Sequence, residues 1–315
     1  GFLIEEKAKK ISSATLRHRR MVMKWLDEWK DKPITDFERR DIRNFLLYLR
    51  DERGACDGTV GGYMGQVTKL FEFLEEDGYI NEEENPRKDI KYNEYLNTKT
   101  TETQKVMRDT KSYVALCDDE AEKLLSNATD PKVRNTLGIK LQLETGPRAG
   151  ELVNTRLSDV DLENRTITYK TLKKDGEEYR TLGFSRGIAI LLNQWLNEGY
   201  RDRFKVASES DYVFVSRRSE KLSTKGWNEA VRKAAKEAGI QEKTRTDSNG
   251  NQEWKVHSHV LRHTYAESMI RNGCDISRLA DLMGHKSIET TRKYLDHDED
   301  TLREAQRKFS PSFSV

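Results

Sequence analysis

Cysteine is scarce: only Cys56, Cys117 and Cys274 occur in 315 residues, far apart and odd in number. That excludes the disulfide framework of small secreted domains and fits a reducing compartment. No Cys-x-x-Cys pair is present, which removes one common set of structural zinc ligands. No run of about 18 apolar residues occurs, so no transmembrane helix and no membrane partner is expected. The N-terminal stretch carries no apolar core of a secretory signal. A soluble, cytoplasmic protein is the expectation. A surplus of one charge is also missing: 56 Lys and Arg against 54 Asp and Glu leave a formal net charge of +2. On its face that total is not one of a nucleic-acid binder, although binding depends on how charge is spread over the faces. No internal repeat or low-complexity tract interrupts the chain.

What is present suits two domains of ordinary size. Hydrophobic and charged residues each make up 35%, enough for cores under a heavily ionised surface. Helices are expected over about 13–30, with Leu16, Met21, Met23, Leu26 and Trp29 inward, and over about 36–53, with Phe37, Ile42, Phe45, Leu46 and Leu49 inward. Arg17, His18, Arg19, Arg20 and Lys24 form a basic cluster on the first. A third helix, about 59–76, carries Val60, Met64, Val67, Phe71 and Leu74 at helical spacing. Gly61, Gly62 and Gly65 lie inside it, each costing about 1 kcal/mol against alanine. Such a cost suggests a close approach to the backbone, by a neighbouring helix or by a ligand strand. Asn85-Pro86 closes this part, and the polar residues 91–113 read as a linker. The organisation expected is therefore a helical domain over 1–90, a linker over 91–113, and a second domain over 114–315.

In the second domain Asp118 is the expected N-cap of a helix bearing Ala121, Leu124 and Leu125. A helix over about 131–144 leads into Thr145-Gly146-Pro147-Arg148-Ala149-Gly150-Glu151-Leu152, where a turn at Gly146-Pro147 holds Arg148 at an element end. Short strands follow at 158–162, 165–171 and 177–182, with Lys174-Asp175-Gly176 as a turn. On the hairpin Ile167 and Tyr169 share one face, Thr168 and Lys170 the other. Helices are expected at about 185–199 and 223–238, a short strand at 212–215, and a polar excursion at 241–254 centred on Asn249-Gly250.

Residues 257–294 then gather His259, Arg262, His285 and Tyr294, on helices expected at 259–271, 275–283 (capped by Asp275) and 287–296 (capped by Ser287). Arginine offers a fixed fork of donors that matches phosphate oxygens, and histidine moves protons near neutral pH. Tyrosine is an oxygen nucleophile, but only about a thousandth is phenolate at pH 7, a deficit of about 4 kcal/mol. Nearby cations can offset that deficit, so the set describes a site in which a tyrosine attacks a phosphodiester. Three rivals remain open. His257, His259 and His263 could ligate a metal in a nuclease, although Arg262 would lie among the ligands and repel the ion. A type IB topoisomerase would use the same chemistry on one duplex. A non-catalytic DNA-binding protein would keep the scaffold alone.

The strings His259-Val260-Leu261-Arg262-His263-Thr264, Met283-Gly284-His285 and Thr290-Thr291-Arg292-Lys293-Tyr294, with the Arg148 motif upstream, resemble the tyrosine recombinases of the phage integrase, Xer and Cre type. The resemblance implies a mainly α fold with a small antiparallel β-sheet, as a helical core-binding domain plus a mixed catalytic domain. It implies Arg148, Lys170, His259, Arg262, His285 and Tyr294 as catalytic residues, with Lys173 and Lys174 as rivals to Lys170. Arg19, Arg20, Lys69, Lys173 and Lys174 are candidate DNA contacts. It further implies no metal or other cofactor, a homotetramer on paired double-stranded DNA sites, and accessory DNA-bending proteins. A nucleoid-associated protein of prokaryotic or viral origin is implied too. In the family a tail helix, here Thr301 to Phe309, docks on a neighbouring subunit.

Overall fold

The computed structural model describes residues 2–8, 11, 13–55, 57–88, 114–173, 176–246, 252–285 and 287–295. The linker at 91–113, Lys174, the Asn249-Gly250 turn and the tail helix at 301–309 lie outside them. The chain divides into two compact units, residues 1–106 with 245–252, and residues 107–244 with 253–315.

The first unit is helical. Helices α1 (Phe2–Ala8), α2 (Ser13–Trp29), α3 (Arg39–Leu47) and α4 (Asp57–Glu76) enclose a core of Val22, Leu26, Ile42, Phe45, Leu46, Leu49, Val60, Met64, Val67 and Phe71. The 3.6-residue spacing selected these positions except Val22, because each helix must bury its apolar stripe against the others; in α2 Val22 and Leu26 are buried, and Leu16, Met21, Met23 and Trp29 are half-buried. The helix expected over 36–53 is in three pieces: a 3-10 turn at Ile34–Asp36, α3, and a π-helical turn at Tyr48–Glu52. Glu38 precedes α3, its N–H donating to Asp41 Oδ2 at 2.9 Å. The Asp41 carboxylate is fully buried, with ion pairs to Lys30 and Lys32. Gly61, Gly62 and Gly65 face open space: among the described residues nothing comes within 4 Å of where a Cβ would stand. Among the described residues, then, no neighbouring helix accounts for these glycines.

In the second unit, α5 (Asp118–Ser126), α6 (Lys132–Thr145) and α7 (Ala149–Val153) lead to an antiparallel sheet in the order β1 (Val160–Asp161), β2 (Thr166–Lys173), β3 (Gly176–Gly183). Then come α8 (Arg186–Asn197), α9 (Thr224–Glu237), α10 (Ser258–Arg271), α11 (Ile276–Met283) and α12 (Glu289–Arg292), while between α9 and α10 the strands β4 (Lys243–Thr246) and β5 (Gln252–Trp254) pair, with residues 245–252 counted to the first unit. The architecture is thus mainly α with a small antiparallel sheet. Helix α6 runs through the centre, buried from Arg134 to Thr145 on several faces and packed against α8 and α10. Gly138 is required there: a Cβ would stand 2.6 Å from the Trp227 indole, which donates through Nε1 to Gln142 Oε1 at 2.8 Å.

Several local expectations shift by a residue or more. Cys117, not Asp118, occupies the N-cap of α5, and the Glu120 carboxylate accepts its N–H at 3.1 Å. The chain at 157–159 is a 3-10 turn, leaving only Val160–Asp161 as strand, because Arg156 N–H is already bonded to Asp159 Oδ2 at 2.7 Å. At 212–215 a single bridge, Arg156 to Tyr212, replaces a strand. The strands of the hairpin reach Lys173 and Gly176. Helix α12 is one turn long with Ile288 at its N-cap; Ser287 Oγ still accepts from Glu289 N–H at 3.3 Å. Tyr294 therefore follows α12 in a turn rather than riding on a helix, its N–H bonded to Thr291 O at 3.0 Å.

Candidate active site

Glycine creates the first half of the site. Gly146 ends α6 in the left-handed conformation (φ 61°), which a Cβ would resist. The reversal is fixed by Gln142, whose Nε2 donates to Pro147 O at 3.0 Å inside the core. Arg148 thereby becomes the N-cap residue of α7. Its N–H and its Nη1 donate to the two oxygens of Glu151 at 2.8 and 2.9 Å, and its Nη2 donates to Gly284 O at 3.1 Å.

The second half comes from α10. Arg262 is 4% exposed and donates to Gly146 O at 2.5 Å, to Met283 O at 2.7 Å and to His285 Nε2 at 3.0 Å. Its Nη1 also lies 3.9 Å from Glu151 Oε2. The two guanidiniums thus meet at one carboxylate and at the consecutive carbonyls of Met283 and Gly284. Burial and then Arg148 lower the Arg262 group to about 10, which leaves it charged at neutral pH.

Sequence reasoning missed the third cation, Arg180. It stands opposite Tyr169 in the β2–β3 register and reaches both Glu151 oxygens, at 3.1 and 2.5 Å, and Thr171 Oγ1 at 3.0 Å. Thr171 itself donates to Glu151 Oε1 at 2.7 Å. Burial alone would raise the Glu151 carboxyl, but Arg180, the Arg148 N–H and Thr171 together bring it down to about 2.

His285 follows Gly284, the left-handed C-cap of α11 (φ 63°). Arginine can only donate, so His285 Nε2 accepts from Arg262, and its proton sits on Nδ1, 2.8 Å from Thr291 Oγ1. Burial, then Arg262 and Arg148, lower this ring to about 4, so it is neutral and orients Arg262.

Tyr294 is 4% exposed, packed with Tyr265, Ala266, Leu279 and Met283. Burial raises its phenol to about 12 against the opposing pull of Arg262 and Arg148. Its hydroxyl lies 2.7 Å from His263 Nδ1. His259, one helical turn earlier, is exposed; its ring centroid is 6.4 Å from that of His263, and among the described residues it makes no hydrogen bond to Tyr294. Crowding in the site, then His257, Arg262, Lys293 and Arg148, hold His259 below its ordinary value.

Among the described residues Lys170 makes no hydrogen bond within this cluster. It shares the outer face of the hairpin with Thr168, Tyr179 and Thr181, where it pairs with Glu177 and lies 5.7 Å over the Tyr179 ring. Thr171 and Arg180, on the inner face, line a cavity of about 210 Å³ with Gly284 and His285. Lys170 lines a second one, of about 340 Å³, together with Glu151, Asn154, Arg156 and Tyr212, and Tyr179 borders both. Lys173 ends β2. Of the candidate DNA contacts in the first unit, Arg19 is half-buried and donates to Gln66 Oε1 at 2.8 Å, tying α2 to α4. Arg20 is exposed, and Lys69 is exposed but paired with Glu72. Among the described residues no group of three His, Cys, Asp or Glu is placed to hold a metal ion, and no helix is long and apolar enough to cross a membrane.

The phage integrase family model matches residues 115–301, more than half of the chain. This chain belongs to the phage integrase family. It is a tyrosine recombinase. It is 26% identical to tyrosine recombinase XerD of Listeria innocua over 98% of this chain and 96% of that one. It is 28% identical to tyrosine recombinase XerC of a Roseiflexus species over 85% and 75%. In fold it is similar to the XerH site-specific recombinase bound to its difH substrate (TM-score 0.70, 21% identity, 98% and 82% covered). It is similar also to the Tn1549 transposon integrase in complex with transposon right end DNA (TM-score 0.71, 17% identity, 98% of each chain).

Proposed function

We propose that this recombinase cuts and rejoins strands at double-stranded recombination sites through a 3′-phosphotyrosyl bond to Tyr294, by way of a Holliday junction, with no metal or nucleotide. The observation that carries the reading is the convergence of Arg148 and Arg262 on Glu151 and on the 283–284 carbonyls, beside a buried tyrosine. Each terminal guanidinium nitrogen carries two N–H groups, so donors remain to clamp the non-bridging oxygens of a phosphodiester. Charge that builds on phosphorus is then stabilised by groups already in place.

In the cleavage step the Tyr294 oxygen bonds to phosphorus and the bond to O5′ breaks. The departing O5′ takes a proton from a lysine. Lys170, Lys173 and Lys174 are the candidates, and strand alternation favours Lys173, whose position shares the parity of Tyr169 and Thr171. His285 holds Arg262, and His259, open to solvent, is suited to the phosphate. The bond energy is kept in the phosphotyrosyl link, so a 5′-hydroxyl of another strand can displace Tyr294 without a nucleotide. The resemblance extends the proposal to a homotetramer on paired sites, helped by accessory DNA-bending proteins. Residues 1–90 would serve as a DNA-binding domain carrying Arg19, Arg20 and Lys69, residues 91–113 as linker, and residues 114–315 as catalytic domain. The open face at Gly61, Gly62 and Gly65 suits a close-lying DNA strand.

The test is a nicked duplex carrying the site that the full chain selects from a random-sequence library. Wild type should form a denaturant-resistant protein–DNA adduct and exchange strands between paired sites through a four-way junction. Tyr294→Phe should bind with unchanged affinity and form no adduct. An adduct formed by Tyr294→Phe, or relaxation of one duplex without exchange, would overturn the reading.

A further inference from the structure

A tyrosine phenol at about 12 leaves about one part in 100,000 as phenolate at pH 7, a hundredfold less than a free side chain. Two arginines stabilise the charge on a phosphate; they do not remove the phenolic proton. A group in contact with the oxygen must do so, and the geometry supplies one. His263 Nδ1 lies 2.7 Å from Tyr294 Oη, hydrogen-bond distance for transfer. The two rings are tilted by 51° with centroids 5.7 Å apart, so the phenol meets the imidazole edge rather than its face. His263 sits on the rigid α10 next to Arg262, and Tyr294 is packed against the same helix at Tyr265 and Ala266.

We propose that His263, through Nδ1, is the general base that takes the Tyr294 proton as the oxygen–phosphorus bond forms, and returns it when a 5′-hydroxyl displaces the tyrosine. Proton and electron pairs balance: the O–H pair becomes the O–P bond, the proton moves to Nδ1, and the O5′ leaving group is protonated separately. On rejoining, the imidazolium protonates the departing phenolate, and the lysine that protonated O5′ takes the proton of the incoming 5′-hydroxyl. Burial, and then Lys293, His259, Arg262 and His257, lower His263 to about 3, so at rest it is neutral and only weakly basic. Those same cations oppose the imidazolium in DNA-free protein. A bound phosphodiester brings the missing negative charge, so His263 becomes an effective base only when the scissile phosphate is in place.

The inference rests on Tyr294 being the nucleophile. It is tested by adduct formation on the same nicked duplex, with duplex affinity and circular dichroism as controls for folding. His263→Ala should slow adduct formation by about 10²- to 10⁴-fold, with imidazole added to the buffer restoring part of the rate. His263→Gln, which keeps a hydrogen-bonding group but no base, should stay slow. Replacing Tyr294 by a ring-fluorinated tyrosine, a more acidic phenol, should shrink the His263→Ala deficit. A His263→Ala rate within threefold of wild type would overturn the proposal. So would recovery in His263→Gln, or a deficit indifferent to fluorination, since each denotes a positioning role at most. If Tyr294→Phe itself forms adducts, the fault lies with the nucleophile assignment and not with His263.

Discussion

Glu151→Gln is the most informative perturbation of the scaffold, because one buried carboxylate faces three guanidiniums. Glu151 is held at about 2 from an ordinary 4.5, so the folded state favours its ionised form by about 2.5 units. At about 1.4 kcal/mol per unit this amounts to about 3 kcal/mol of stability. The sign follows from the lowered value: the contribution is complete above about pH 4.5 and is lost as pH falls from there toward 2. Glutamine keeps the shape and an acceptor for Thr171, but leaves Arg148, Arg180 and Arg262 without their counter-charge. Breaking a buried pair from one side costs about 3–5 kcal/mol. At about 2–4 °C per kcal/mol for a unit of this size, Tm at pH 7 should fall by about 6–20 °C. The assay is thermal unfolding of both proteins at pH 7 and pH 3, with and without duplex. The gap between them should narrow at pH 3, and duplex should raise the Tm of Glu151→Gln more than that of wild type, since phosphate supplies an anion. A variant melting within 2 °C of wild type at pH 7, or an equal gap at both pH values, would refute this electrostatic account.

Two further perturbations probe the backbone and the leaving group. Gly146→Ala forces a side chain into a left-handed residue whose Cβ would stand 2.2 Å from the Tyr265 ring, and it shifts the carbonyl that anchors Arg262. It should cost more than about 2 kcal/mol in denaturant unfolding and slow adduct formation; an unchanged midpoint would contradict the close approach. Alanine at the lysine that protonates O5′ should slow cleavage by about 10²- to 10⁴-fold, and a bridging 5′-thiol leaving group, which needs no proton, should erase that deficit. We expect this pattern for Lys173→Ala and not for Lys170→Ala; rescue of Lys170→Ala would show that the outer face of the hairpin turns toward the DNA.

The motif spacings made much of the site legible because they encode local geometry. Gly146-Pro147 before Arg148 specifies a helix end, and Arg262 three residues after His259 specifies one side of a helix. The buried stripes of α3 and α4 could be read for the same reason, since periodicity reports burial directly. What could not be read depends on packing between distant elements. Alternation places Lys170 opposite Tyr169, but that Thr171 and Arg180 on the other face reach Glu151 follows only from packing. Arg180 looked like one more charged hairpin residue, and its register with Tyr169 is the signal that could have singled it out. His263 was visible as one of three clustered histidines; its contact with Tyr294 depends on how the turn after α12 packs on α10. The cap of α5 moved by one residue because Asp118, Asp119 and Glu120 all suit the positive end of a helix, and composition does not choose among them.

The charge balance of the cluster ties its stability to its chemistry. Three guanidiniums against one carboxylate leave two net positive charges around Glu151 in a chain whose whole formal charge is +2. His259, His263 and His285 are all pushed below their ordinary values, so near neutral pH they add nothing to that surplus. A phosphodiester carries one negative charge and gains more as the attacking and leaving oxygens share phosphorus. Glu151 thus removes enough repulsion for the arginines to stay folded together, while the remainder is matched to an anion that grows along the reaction. Replacing Glu151 by an apolar residue would strand the arginines, and adding a second carboxylate would cancel the surplus that the phosphate requires.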